Sequence, residues 1–280
     1  MGIASTAEPV RVSTFSSVLT EVAERVGGNL VKVTGHVRAG SDPHEFEPKP
    51  ADLKTVSKAT LVLLSAKHLE GYVGKLKEAT GGDVRFLEVG AQLPSLWRRG
   101  EGGKSGEKTE DPHWWNSVGN MRKAVGVVRD VLTELRPEER LAFETNARKY
   151  DEELRALEQW ARSRIAELPR DKRKLVTSHD ALQYFAKDYG FVVFPVTGLT
   201  SADQPSSRNV AELLQSIKAQ HVKAVFVEDT ANPKVLQQMT AETGAVLGGQ
   251  LWVDGLGVGD AATYTGMFRH NVNTVVEALK

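Results

Sequence analysis

Cysteine is absent from the 280 residues of the chain. That excludes disulfide scaffolds, thiolate metal sites and cysteine nucleophiles. Net charge is absent too, since 36 Lys and Arg balance 36 Asp and Glu. Binding to nucleic acid or to an anionic membrane needs an excess of positive field, so neither is expected. Long apolar runs are missing: Leu61–Leu64 and Phe191–Val196 are among the longest. Both fall far short of the ~18–20 residues of a spanning helix. Residues Met1–Thr6 hold neither a charged n-region nor an apolar stretch. No signal peptide is therefore expected in this sequence, and the terminus does not assign a compartment. With 40% hydrophobic residues and a mean hydropathy of −0.31, the chain reads as a soluble globular protein of one large domain or two lobes.

Several chemical motifs are also missing. Gly103-Lys104-Ser105 resembles the end of a phosphate-binding loop, but Arg98 stands where the first glycine belongs. Gly255-Leu256-Gly257-Val258-Gly259 has the wrong spacing for a dinucleotide fingerprint. His44-Glu45 begins like a zinc-protease helix, yet Pro48 takes the place of the second histidine. There is no Gly-x-Ser-x-Gly elbow. Nucleotide-dependent and hydrolytic chemistry lose ground accordingly.

What is present is an alternation of β and helical patterns. Val10–Phe15, Leu30–Val37, Leu61–Ala66 and Val84–Val89 read as strands, nearly continuous in apolar character, as strands covered on both faces require. Ser16–Val26, Pro50–Lys58 and Gly71–Ala79 read as helices between them. In the second half Leu175–Ser178, Val192–Val196, Ala224–Glu228 and Ala245–Leu247 read as strands. Leu182–Tyr189, Asn209–Gln220, Pro233–Thr243 and Gly266–Leu279 read as helices there. Two βα series predict an α/β fold of two doubly wound lobes, each with a parallel sheet of about four strands.

Glu138–Leu168 contains no Pro or Gly and is bracketed by Pro137 and Pro169. Phe143, Ala147, Tyr150, Leu154, Leu157, Ala161, Ile165 and Leu168 form one apolar stripe along it. This is expected to be a single backbone helix joining the lobes; the alternative is an ordinary long amphipathic helix on one domain. The expected division is residues 8–136, 137–169 and 170–280. Arg98–Asp111, rich in Gly and charge, reads as a mobile surface loop.

Of the seven histidines, His221 and His270 fall in helical patterns and read as solvated or structural. The others, His36, His44, His68, His113 and His179, cluster where strands end, and ligands of open α/β sheets bind outside the carboxyl ends of the strands. His44 lies in Asp42-Pro43-His44-Glu45-Phe46-Glu47-Pro48, whose prolines and acids can fix and orient an imidazole. His113 lies in Asp111-Pro112-His113-Trp114-Trp115-Asn116, so Asp-Pro-His occurs twice. His179 follows a strand and starts a helix, and Asp254 follows Leu251-Trp252-Val253 at the end of the last strand. Three imidazoles and a carboxylate suit a first-row divalent ion, zinc above all, held in the cleft with two ligands from each lobe. Taken singly, each of these histidines reads as a hydrogen-bonded structural group.

From about Val10 to Leu279 the chain resembles the zinc- and manganese-binding proteins of ABC transporters, the zinc-uptake and TroA-like group. The resemblance rests on Gly40–Pro48, Asp111–Trp115, Ser178–Ala186, Val227-Glu228, Leu251–Leu256, Tyr264 and Asn271. It implies an extracytoplasmic or periplasmic protein that hands its ion to an ABC permease, works as a single copy and is not an enzyme. It places the family's ligands on His44, His113, His179 and Asp254. Glu228 is expected to orient a ligand. His68 is an unusual extra donor facing the cleft, or else a solvated loop residue. The histidine-rich loop of many zinc members is not present here.

His179 keeps a third imidazole where manganese-selective relatives tend to carry Glu, which favours Zn2+ with Mn2+ as the alternative. The expected mechanism is capture between lobes, with small movements of Arg98–Asp111 and of the Gly255–Gly259 turn. A metallohydrolase with one open metal position is the reading from a different class, and adhesion, ascribed to some relatives, finds no test in the sequence.

Overall fold

A computed structural model of the chain describes residues 8–82, 84–99, 108–199, 207–228 and 239–280. In chain order the first lobe runs β1 (Val10–Thr14), α1 (Ser17–Gly27), β2 (Val31–Gly35), α2 (Pro50–Val56), β3 (Leu61–Leu64), α3 (Val73–Thr80) and β4 (Arg85–Glu88). A hairpin of β5 (Trp97–Arg99) and β6 (Lys108–Glu110) follows, then α4 (Val118–Leu135) and α5 (Arg140–Ile165). The second lobe runs β7 (Lys174–Thr177), α6 (Gln183–Tyr189), β8 (Val192–Pro195), α7 (Ser207–Ala219), β9 (Ala224–Glu228), β10 (Val246–Leu251) and α8 (Tyr264–Leu279).

Each lobe holds one four-stranded sheet, ordered β2-β1-β3-β4 in the first and β10-β9-β7-β8 in the second. All the pairings within them are parallel. The second order read backwards is the first, strand for strand, so the two lobes share one topology. β3 is buried at all four positions, as its unbroken aliphatic run requires of a strand covered on both faces. Ser16 turns the chain from β1 into α1, its hydroxyl accepting from Leu19 N–H.

The apolar stripe expected of the long helix is the buried face of α5, from Phe143 to Ile165. It packs on α1 and α4 of the first half and on α8 of the second. One apolar cluster runs unbroken from Val12 through Leu157 to Val276. Glu21 sits at the junction: its carboxylate accepts from Tyr150 OH at 2.8 Å and from Tyr264 N–H at 2.6 Å, joining α1, α5 and α8. The helix is shorter at both ends than Glu138–Leu168. Pro137–Glu139 forms a 3-10 turn before it, and its 26 residues span about 39 Å.

Three further differences from the expected elements stand out. α4 was not expected, because Gly119, Gly126 and a run of valines weaken its helical signal; burial of Val118, Val125, Val128 and Val131 overrides that propensity. The ends of the charged segment pair as the antiparallel hairpin of β5 and β6. Its tip, residues 100–107, lies outside the described residues together with the Gly103-Lys104-Ser105 stretch. β10 continues past Leu247 through Gly248-Gly249, where the register shifts and Gly249 takes φ +113°, a backbone that favours glycine. Of the helix expected over Pro233–Thr243, only residues 239–243 are described, and they are helical.

Leu157 is fully buried in α5 and Leu141 is 76% exposed. Leu157→Ala is expected to cost about 2–5 kcal/mol in urea unfolding, whereas Leu141→Ala stays within about 0.5 kcal/mol.

Candidate metal centre

Three of the segments that carry the predicted ligands leave the carboxyl ends of the parallel strands: the loop after β2 bears His44, and His179 and Asp254 follow β7 and β10. His113 differs, since it follows the β5–β6 hairpin rather than a strand of either main sheet. The two Asp-Pro-His elements fold alike. Asp42 Oδ1 accepts from the N–H of His44 at 2.7 Å, and Asp111 Oδ1 accepts from the N–H of His113 at 2.9 Å. Each aspartate thus closes an Asx turn that aims the next-but-one side chain.

Glu228, at the end of β9, accepts from the N–H groups of Ser178 (3.0 Å) and His179 (3.4 Å). Val253 O accepts from Trp115 Nε1–H at 2.8 Å and from Asn116 Nδ2–H at 2.9 Å. The residues after His113 therefore hold the backbone just before Asp254. Asn271 of α8 pairs with both the N–H and the C=O of Trp252. Gly40, with φ +72°, donates to Leu256 O at 2.7 Å and ties the His44 loop to the turn beyond Asp254.

These supports bring one donor atom from each of His44, His113, His179 and Asp254 within 4.8 Å of one another. His113 Nε2 lies 3.1 Å from His44 Nε2 and 3.3 Å from His179 Nε2. Asp254 Oδ1 lies 3.1 Å from His179 Nε2, 3.6 Å from His113 Nε2 and 3.7 Å from His44 Nε2. Donors on a tetrahedral ion with bonds of about 2.0–2.1 Å stand roughly 3.3 Å apart, so the separations fit one ion. His113, His179 and Asp254 are buried, and His44 is partly so.

The protonation pattern follows from the groups behind the rings. His113 Nδ1 lies 2.8 Å from Asp111 Oδ1, and His179 Nδ1 lies 2.5 Å from Glu228 Oε2. An ionised carboxylate only accepts, so each Nδ1 carries a hydrogen, and the ring in its neutral form turns a bare Nε2 lone pair inward. Two lone pairs 3.3 Å apart repel unless a proton or a metal ion lies between them. Among the described residues neither carboxylate oxygen of Asp254 has a hydrogen-bond partner, although both are buried. A buried anion without hydrogen bonds is costly unless a positive charge meets it.

Burial alone pulls the pKa of His179 down, but the carboxylates of Asp254 and Glu228 outweigh it and hold the ring well above its ordinary value. Burial likewise pushes Asp254 up, and the imidazoles of His179, His44 and His113 outweigh that and hold it well below the usual carboxylate range. The cluster is built to keep positive charge beside Asp254.

The remaining histidines lie elsewhere. His36 stacks on Phe15 and bonds Asp52. His68 is exposed, third in a left-handed run of Ala66, Lys67 and His68, and does not join the four-residue group. His270 bonds Gln250 O from α8, and His221 is exposed in a turn beyond α7. Sequence reasoning missed Asp111 as the partner of His113, although the repeated Asp-Pro-His was its signal. It also missed Trp115 and Asn116 as holders of Val253, for which no local signal exists.

The family model of the periplasmic zinc-uptake complex component A, ZnuA, matches residues 12–278. The manganese-binding lipoprotein MntA of Bacillus subtilis is 36% identical over 98% of this chain and 90% of its own length. The solved structure of the periplasmic zinc-binding protein TroA from Treponema pallidum superimposes with a TM-score of 0.87 at 27% identity, covering 98% of this chain and 99% of that one. A manganese-bound periplasmic metal-binding protein from Candidatus Liberibacter asiaticus gives a TM-score of 0.87 at 28% identity, covering 98% and 100%.

Asp111→Asn and Glu228→Gln remove the charged acceptors behind two rings. Each is expected to weaken divalent-metal binding about 10–100-fold in calorimetric titration, with an unchanged circular dichroism spectrum.

Proposed function

The chain belongs to the zinc-uptake complex component A family, and we propose that it captures one divalent transition-metal ion between its lobes and hands it to an ABC permease outside the cytoplasm. The observation that carries this reading is the convergence of three Nε2 atoms on a buried carboxylate that has no hydrogen-bond partner. His44, His113, His179 and Asp254 are the ligands. Residues 8–136 and 170–280 are the two lobes and residues 137–169 the connection, so each lobe supplies two donors.

Zinc is the ion the donor set favours. Three imidazoles and one carboxylate complete a tetrahedron, and zinc stands far above manganese in affinity at nitrogen-rich sites. Manganese is the second reading, supported by the manganese-binding relative from B. subtilis and by an Asp254 whose two free oxygens can both bind a hard ion. Four protein donors leave no position for an activated water, which supports a carrier over a metallohydrolase. The extensive packing of α5 on both halves supports small movements on loading, at the hairpin of β5 and β6 and at the Gly255–Gly259 turn. A single copy suffices, since both lobes of one chain complete the site.

Elemental analysis of the purified chain is expected to find about one ion per chain, and chelation to lower the melting temperature. His179→Ala is expected to abolish both effects; a metal-free chain that neither zinc nor manganese stabilises would overturn the reading. Equimolar zinc and manganese, read by native mass spectrometry, are expected to leave zinc bound.

The raised pKa of His179 sets the pH dependence. Below it, loading must displace one proton, so affinity is expected to rise about tenfold per pH unit and then level off as pH passes that pKa. In the metal-free protein the same group stabilises fully below the unfolded value of about 6.5, and that contribution is lost as pH rises through the folded one. Proton release on loading, measured by titration in buffers of differing ionisation enthalpy, checks both.

A further inference from the structure

The four clustered residues are not equally enclosed: the side chains of His113, His179 and Asp254 are 0–1% exposed and that of His44 is 6% exposed. A cavity of about 350 Å³ opens on the side of His44, which forms part of its wall. Glu45, Glu47, Gly71, Tyr72 and Lys75 also line it. Glu45 and Glu47 are exposed and make no ion pair among the described residues. Tyr72 is 9% exposed, and its hydroxyl is buried without a hydrogen-bond partner among the described residues. A buried hydroxyl of that kind suits a site that a hydrated cation visits, because a water of the ion's shell satisfies it.

We propose that this cavity is the vestibule through which the metal ion reaches and leaves the four-residue site, with the carboxylates of Glu45 and Glu47 gathering the hydrated cation and His44 acting as the innermost gate. The inference rests on the capture reading and adds the route and the residues that set its rate. Two carboxylates beside one ammonium give the rim a net negative field, which raises the local concentration of a divalent cation and its rate of entry. His44 is the ligand to move first, since the other three are sealed behind it.

Gly71 allows a clean test, because a Cβ built there meets nothing within 4 Å. A bulky side chain added at this lining position therefore starts in open space and narrows the cavity. Stopped-flow mixing with Mn2+ or Zn2+ reads the rates through Trp115, whose ring centroid lies 5.5 Å from that of His113. Gly71→Phe is expected to slow association and dissociation by the same factor, about tenfold, leaving Kd unchanged, as plugging a route does. Gly71→Ala should behave as the unaltered chain. The double variant Glu45→Gln/Glu47→Gln is expected to slow association about threefold at low salt and little at high salt, where the field is screened. Rates in Gly71→Phe equal to those of the unaltered chain would overturn the proposal. If that variant changes Kd instead, the glutamate pair decides: association unchanged at low salt rejects the vestibule, and slowed association supports it. An unaltered chain that binds neither ion would overturn the capture reading rather than this route.

Discussion

The cleft is built on one electrostatic arrangement: imidazoles held with their Nε2 atoms inward, against a buried carboxylate that needs positive charge beside it. His113 and His179 cannot turn away, because Asp111 and Glu228 grip their outer nitrogens. Asp254 finds no hydrogen bond among the described residues. Such a group in a dry interior is costly unless positive charge meets it: the proton held on His179 supplies that charge in the metal-free chain, and a divalent cation replaces it on loading. The free energy of capturing an ion is therefore also free energy of stability.

The architecture explains why four such groups can meet. Two sheets of identical strand order aim their carboxyl ends at one another, and that edge is where an open α/β sheet leaves backbone and loops free for a ligand. α5 runs along both halves with its apolar face fully buried, and Glu21 locks it to α1 and α8. A chain braced in this way has little room for wide hinge motion. The segments left to respond are those that carry the ligands, and two of them are already coupled: Trp115 and Asn116 hold the carbonyl of Val253. A shift at His113 reaches Asp254 through two hydrogen bonds.

Much of this was legible in the residues because its signals are local. Continuous aliphatic runs mark the parallel strands, the spaced stripe from Phe143 to Ile165 marks α5, and the twice-used Asp-Pro-His marks the loops of His44 and His113. Where signals are weak or distant, reading failed. The glycines and valines of α4 hide a helix that only tertiary burial stabilises. The hairpin of β5 and β6 pairs residues flanking a charged stretch that carries no apolar period. The hydrogen bond between Trp115 and Val253 joins positions 138 residues apart, so no window along the chain reveals it. His68, for which the residues left a cleft donor and a solvated loop residue both open, is exposed in a left-handed stretch of backbone.

The most direct test of the four-residue ligand set is X-ray absorption of the metal-loaded chain. Three imidazoles and one carboxylate require outer-shell scattering from three histidine rings around an ion with nitrogen and oxygen neighbours at about 2.0–2.2 Å. An ion surrounded by water and carboxylate oxygens, without imidazole scattering, would contradict it.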